Sequence, residues 1–109
     1  MDDIIVVLTN LPDRAAALKL AQELVAQRLA ACVNVLAECA SVYRWKGRIE
    51  SAAEVPVLIK TRAGRYAEVE AAIRRLHPHE LPEIVAVPVV RGLEEYLDWV
   101  AGETTISIG

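Results

Sequence analysis

Apolar residues recur along this chain with two periods, and the switches between them lay out the elements. Ile4-Ile5-Val6-Val7-Leu8 is an unbroken apolar run, the mark of a strand buried on both faces. Thr9-Asn10-Leu11-Pro12-Asp13 reads as a turn, with Asp13 placed to N-cap a helix. Between Arg14 and Arg28, Ala17, Leu20, Ala21, Leu24 and Val25 recur at helical spacing, with Lys19, Glu23 and Gln27 on the wet face. Leu29-Ala30-Ala31 closes that helix, Cys32 to Leu36 opens a second strand, and Ala37 to Ala40 interrupts it. A third strand ends in Val55-Pro56-Val57-Leu58-Ile59, and Ala63-Gly64 breaks it. A second helix is predicted from Arg65 to Leu76, with Tyr66, Val69, Ile73 and Leu76 inward. His77 to Pro82 is a loop stiffened by two prolines, Ile84 to Val90 a fourth strand, and Arg91-Gly92 turns into a short last helix bearing Leu93, Tyr96, Leu97 and Val100. Thr104 to Gly109 reads as a brief strand or a frayed tail.

The stretch from Ser41 to Thr61 is predicted to be a hairpin reversing at Lys46-Gly47, with Tyr43 and Trp45 on one arm and Ile49 on the other. An arm begun at Cys32 would run roughly 50 Å, far beyond the ~13 Å radius of gyration of a compact chain of this size. The tip should therefore project. Counting back from a two-residue turn sets Val35 against Leu58 and Val33 against Lys60. A one-residue bulge shifts those partners to Val57 and Ile59, apolar against apolar, so the register favours a bulge. Pro56 and Pro88 cannot donate to a ladder and should mark edges or irregularities.

The order β-α-β-β-α-β plus a short helix predicts an α+β, ferredoxin-like sandwich: one antiparallel sheet with both long helices on one face. The second face should alternate apolar with polar. Instead, the runs at Ile4–Leu8, Val55–Ile59 and Ile84–Val87 are apolar at odd and even positions alike. One short helix is too small to cover that face, and packing against identical copies is the simplest remaining cover.

The totals sharpen this. A chain of 109 residues builds one domain, and 54% hydrophobic residues exceed what one small core hides. A formal net charge of −3 gives no electrostatic case for nucleic acid or an anionic membrane. No apolar run is long enough to span a bilayer, and Met1-Asp2-Asp3 lacks a basic leader, so the expectation is a cytoplasmic protein. Cys32 and Cys39 are expected to be free thiols there. No Gly-rich phosphate loop, G-x-S-x-G or H-E-x-x-H motif is present, and an enzyme is not expected.

Several segments together resemble the CutA family of divalent cation tolerance proteins: Leu29-Ala30-Ala31-Cys32-Val33-Asn34-Val35, Tyr43-Arg44-Trp45-Lys46-Gly47, Ile59-Lys60-Thr61, and His77-Pro78 through Leu81-Pro82-Glu83. The resemblance runs from about Ile4 to Ala101. It implies a ferredoxin-like subunit in a tight homotrimer, PII-like in architecture, with the hairpin pairing against neighbouring subunits. It also implies copper or other divalent cations as ligands. A copper site attributed to a bacterial member uses a cysteine ending the first strand and two adjacent histidines before the loop proline. Here Thr9 and Leu76 stand at two of those positions, and His77 at the third.

Two candidate sites emerge. His77, His79 and Glu80 on the stiff loop form a modified metal set; alternatively, His77 caps the second helix and the other two are solvated. Lys60, Glu83 and Trp45 can line an intersubunit cleft for a small anion or a metal, with Glu83 or Glu54 as carboxylate partner to Lys60. The alternative there is an interface ion pair beside an aromatic plug, with Tyr43 and Trp45 as anchors. Three functions are compatible with these residues: a metal-responsive trimer, a PII-like trimer sensing an anionic metabolite, and a structural trimer.

Overall fold

The computed structural model describes residues 3–105. The first strand, β1 (Ile4–Leu11), leads into helix α1 (Arg14–Ala26) and the short strand β2 (Cys32–Val35). Strands β3 (Cys39–Trp45) and β4 (Arg48–Arg62) form the hairpin, and a 3-10 turn over Ala63–Arg65 leads into α2 (Tyr66–Leu76). Strand β5 (Ile84–Pro88) and helix α3 (Glu94–Glu103) complete the chain. The sheet runs β2-β4-β1-β5, with β3 continuing along β4 beyond β2. This is the expected split βαβ topology, with the second strand broken in two.

The break is the predicted bulge. Trp45 pairs with Arg48 and Cys39 with Glu54, whereas Val33 pairs with Ile59 and Val35 with Val57, one residue out of step. Pro56 sits beside it. Its carbonyl accepts from the Leu36 amide at 3.0 Å, so its missing donor also faces the interruption and no β1 bond is lost. Pro88 is the last residue of the edge strand β5, paired with Ile5; the Val89 amide still reaches the Ile4 carbonyl at 3.0 Å, so the Pro88 nitrogen faces the free edge, where no ladder bond is lost. At the tip Lys46 has φ 49° and Gly47 φ 80°, the two left-handed residues of a tight hairpin turn. The hairpin projects, and the molecule measures 48 × 29 × 23 Å.

Several boundaries differ from the sequence reading. Strand β1 continues through Thr9, Asn10 and Leu11, because these pair with Val57, Pro56 and Val55; only Pro12-Asp13 remains as the turn. Asp13 accepts the Ala16 amide at 2.8 Å as N-cap. Helix α1 stops at Ala26, and Arg28 takes φ 58° while the Leu29 and Ala30 amides close on the Leu24 carbonyl. Strand β5 ends at Pro88 rather than Val90. Of the tail beyond α3, Thr104 and Thr105 are not strand, and residues 106–109 lie outside the described residues.

Odd-numbered positions of β1 and β4 form the core. Val7, Leu11, Val55, Val57 and Ile59 pack beneath Leu20 and Leu24 of α1 and Val69 and Ile73 of α2. Even-numbered positions make the second face. Helix α3 covers one end of it: Arg62 reaches Thr104 with two side-chain nitrogens, and Val100 and Thr104 are fully buried. Burial there, reinforced by the neighbouring Cys32, raises the Tyr96 phenol above its ordinary pKa. Among the described residues, no element of the chain covers the rest of the face. Val6, Leu8 and Leu58 are half-buried, while Val85 and Val87 are 48% and 44% exposed.

A β-carbon on Gly47 would meet no atom within 4 Å, so only its positive φ resists substitution. Gly47→Ala should cost about 1 kcal/mol, read from denaturant unfolding at fixed protein concentration.

Candidate functional site

The loop from His77 to Glu83 is tied to the sheet at Asn10. Asn10 pairs with Pro56 on one side, and β5 begins one residue too late to reach it on the other, since Ile84 pairs with Thr9. Its carbonyl is therefore left for another donor, and His77 Nε2 supplies one at 2.7 Å. The other ring nitrogen, Nδ1, accepts the His79 amide at 3.1 Å. This fixes the tautomer: Nε2 carries the proton and Nδ1 offers the lone pair. The Asn10 side chain holds the far end of the loop, donating to Glu83 Oε1 at 3.0 Å.

So anchored, the loop faces the hairpin across a cleft of about 740 Å³. Tyr43, Arg44 and Trp45 from β3 and Glu50 and Glu54 from β4 form one wall; His79, Glu80, Leu81 and Glu83 form the other. Four carboxylates thus look onto a space in which, among the described residues, Arg44 is the lone guanidinium. Tyr43 stands directly across from Glu50 in the ladder. Lys46 Nζ lies 5.5 Å from the centre of the Trp45 ring.

Of the residues singled out from sequence, His77, His79, Glu80, Glu83 and Trp45 meet at this cleft, and Lys60 does not. Lys60 donates to Asn34 rather than to Glu83 or Glu54. The reason is distance along the strand: Glu54 is six residues away on the same face, roughly 20 Å, and Glu83 is held beside Asn10, opposite Pro56. The loop residues converge without forming a ready metal set. Among the described residues, no group of three or more His, Cys, Asp or Glu side chains is placed to hold an ion. His77 is buried with both nitrogens engaged, closing α2 through its amide to Ile73, while His79 and Glu80 are exposed. Thr9 is buried on the core side of β1, and its hydroxyl has no hydrogen-bond partner among the described residues. A soft thiolate–imidazole centre does not fit these positions.

Sequence reading missed Asn10 and Glu50. Counting across the Lys46-Gly47 turn would have set Glu50 beside Tyr43. Nothing local marks Asn10, whose role comes from where β5 begins.

His77→Ala should destabilise the fold by about 2 kcal/mol, because it removes two hydrogen bonds and leaves the Asn10 carbonyl unpaired. The measurement is the urea midpoint at constant slope. An unchanged midpoint would contradict the anchoring role.

Comparison with known proteins agrees with this architecture. The family model described as CutA1 divalent ion tolerance protein matches residues 5–103. The divalent-cation tolerance protein CutA of Thermus thermophilus is 40% identical over 99 residues, 91% of this chain and 96% of that protein. A chloroplastic CutA of Arabidopsis thaliana is 37% identical, but this chain spans only 55% of its length. The crystal structure of CutA from Xylella fastidiosa superposes with a TM-score of 0.91 at 41% identity, covering 94% of this chain and 99% of that one. The CutA1 structure from Oryza sativa gives 0.92 at 33% identity, covering 97% of each chain. With its split βαβ sheet, long hairpin and matched sequence, the chain belongs to the CutA1 divalent ion tolerance family.

Proposed function

We propose that this protein is a homotrimer that binds divalent cations at the cleft between hairpin and loop, as part of a response to metal ions. The observation that carries the reading is the charge of the cleft: Glu50, Glu54, Glu80 and Glu83 line it against Arg44, with the Lys46 ammonium at its edge over Trp45. Oxygen donors suit hard and borderline divalent ions. His79 is the imidazole available to copper or zinc, since no hydrogen bond engages its ring among the described residues; His77 is committed to Asn10. An anionic metabolite finds less support, because Lys60 lies outside the cleft and is held by Asn34.

The trimer rests on the uncovered face. Val85, Val87, Leu93, Tyr96 and Trp99 are between 40% and 68% exposed, and the Tyr96 and Trp99 rings lie 5.6 Å apart. Copies of the chain would roof these side chains. The two free thiols, Cys32 and Cys39, suit a reducing cytoplasm. The Archaeoglobus fulgidus relative of known structure is described as periplasmic, so cell fractionation decides the compartment.

Titration calorimetry with copper and zinc should show saturable binding well below about 1 mM, weakened at least about fivefold by Glu80→Gln with Glu83→Gln. Affinity no better than millimolar for either ion would remove the reading. Sedimentation velocity at low micromolar concentration should show a trimer. A well-folded single protomer under those conditions would overturn the assembly.

A further inference from the structure

Resting on the reading of the cleft as a cation site, we propose that its ligands include a linear organic polycation, a diamine or polyamine. Its ammonium ends would lie on the carboxylates and its methylene chain along the aromatic wall.

Size is the first observation. At about 740 Å³ the cleft falls within the range of small-molecule sites, and far exceeds what one ion and its waters need at roughly 30 Å³ per water. The second is the make-up of the walls. Tyr43, Trp45 and Leu81 share the surface with the carboxylates. A bare metal ion gains nothing from such side chains, whereas a methylene chain buries apolar area against them. Spacing is the third. Glu50 and Glu54 lie on one face of β4, four residues apart, or about 13 Å along the strand. That separation is too wide for two ligands of one ion and suits two charges on one flexible chain.

The hairpin supplies the fourth observation itself. Lys46 carries a primary ammonium at the end of a methylene chain, and it rests over the Trp45 ring at 5.5 Å. A free alkylammonium would make the same contact, with the cleft carboxylates as additional partners. The commitment of both His77 nitrogens also withdraws the donor that would most favour a transition metal.

The test is calorimetry on the intact assembled protein at about 0.15 M salt, with spermidine, magnesium and zinc titrated separately. Spermidine should bind at least about tenfold more tightly than magnesium, which is a multivalent cation without a methylene chain. The Glu50→Gln/Glu54→Gln pair should weaken spermidine about tenfold, and Trp45→Leu or Tyr43→Leu severalfold, each variant first shown to sediment as the parent does. Spermidine no tighter than magnesium would overturn the proposal. So would spermidine affinity indifferent to both aromatic substitutions, since charge alone would then explain it. Zinc binding without spermidine binding would refute the organic ligand while leaving the cation site standing. Loss of both would remove the site.

Discussion

Strand β4 is bonded along both edges, to β1 over Val55–Arg62 and to β3 and then β2 on the other side. Its continuous pleat assigns Val55, Val57, Ile59 and Thr61 to the helices and the even positions to the opposite face. A slip of one residue would exchange the two sets and expose the core, so the register is firmly held. The strand is also longer than the core beneath it. Toward the tip from Val55 no helix among the described residues covers it, and the hairpin stands out as a two-stranded arm. The long axis of the molecule, the cleft beside the arm and the second face left open among the described residues all derive from that one strand.

The cleft depends on a smaller mismatch at the other edge of β1. Because β5 begins opposite Thr9, Asn10 has a backbone carbonyl without a strand partner, a group that cannot be buried unpaired without cost. His77 satisfies it, and the Asn10 side chain takes Glu83. One asparagine therefore fixes both ends of the loop that forms the cleft's second wall. The histidine that looked from sequence like a ligand is a structural pin. The groups left facing the open space are carboxylates and aromatics.

Charge and apolar surface divide the second face between them. Helix α3 seals the end near Ile4 and Arg62, where Thr104 receives Arg62 and Arg65. The middle is apolar and half-exposed, suited to a like surface. The hairpin end brings the carboxylates and aromatics of the cleft together with Arg44, Lys46 and Arg48. Lys60 is engaged by Asn34 near the covered end.

Strand and helix order, the reversal at Lys46-Gly47, the bulge that sets Val33 against Ile59, and the excess of apolar surface were legible in the sequence. Hydrophobic period and turn chemistry act over a few residues, and register is obtained by counting from the turn. The extension of β1 was not legible, because Thr9 and Asn10 have turn propensity and their partners at Val57 and Pro56 are distant in sequence. Nor were the partner of Lys60 and the role of His77. Whether an imidazole holds a metal or a carbonyl depends on which backbone group nearby is left unpaired, and only the packed sheet, by where β5 begins, decided that.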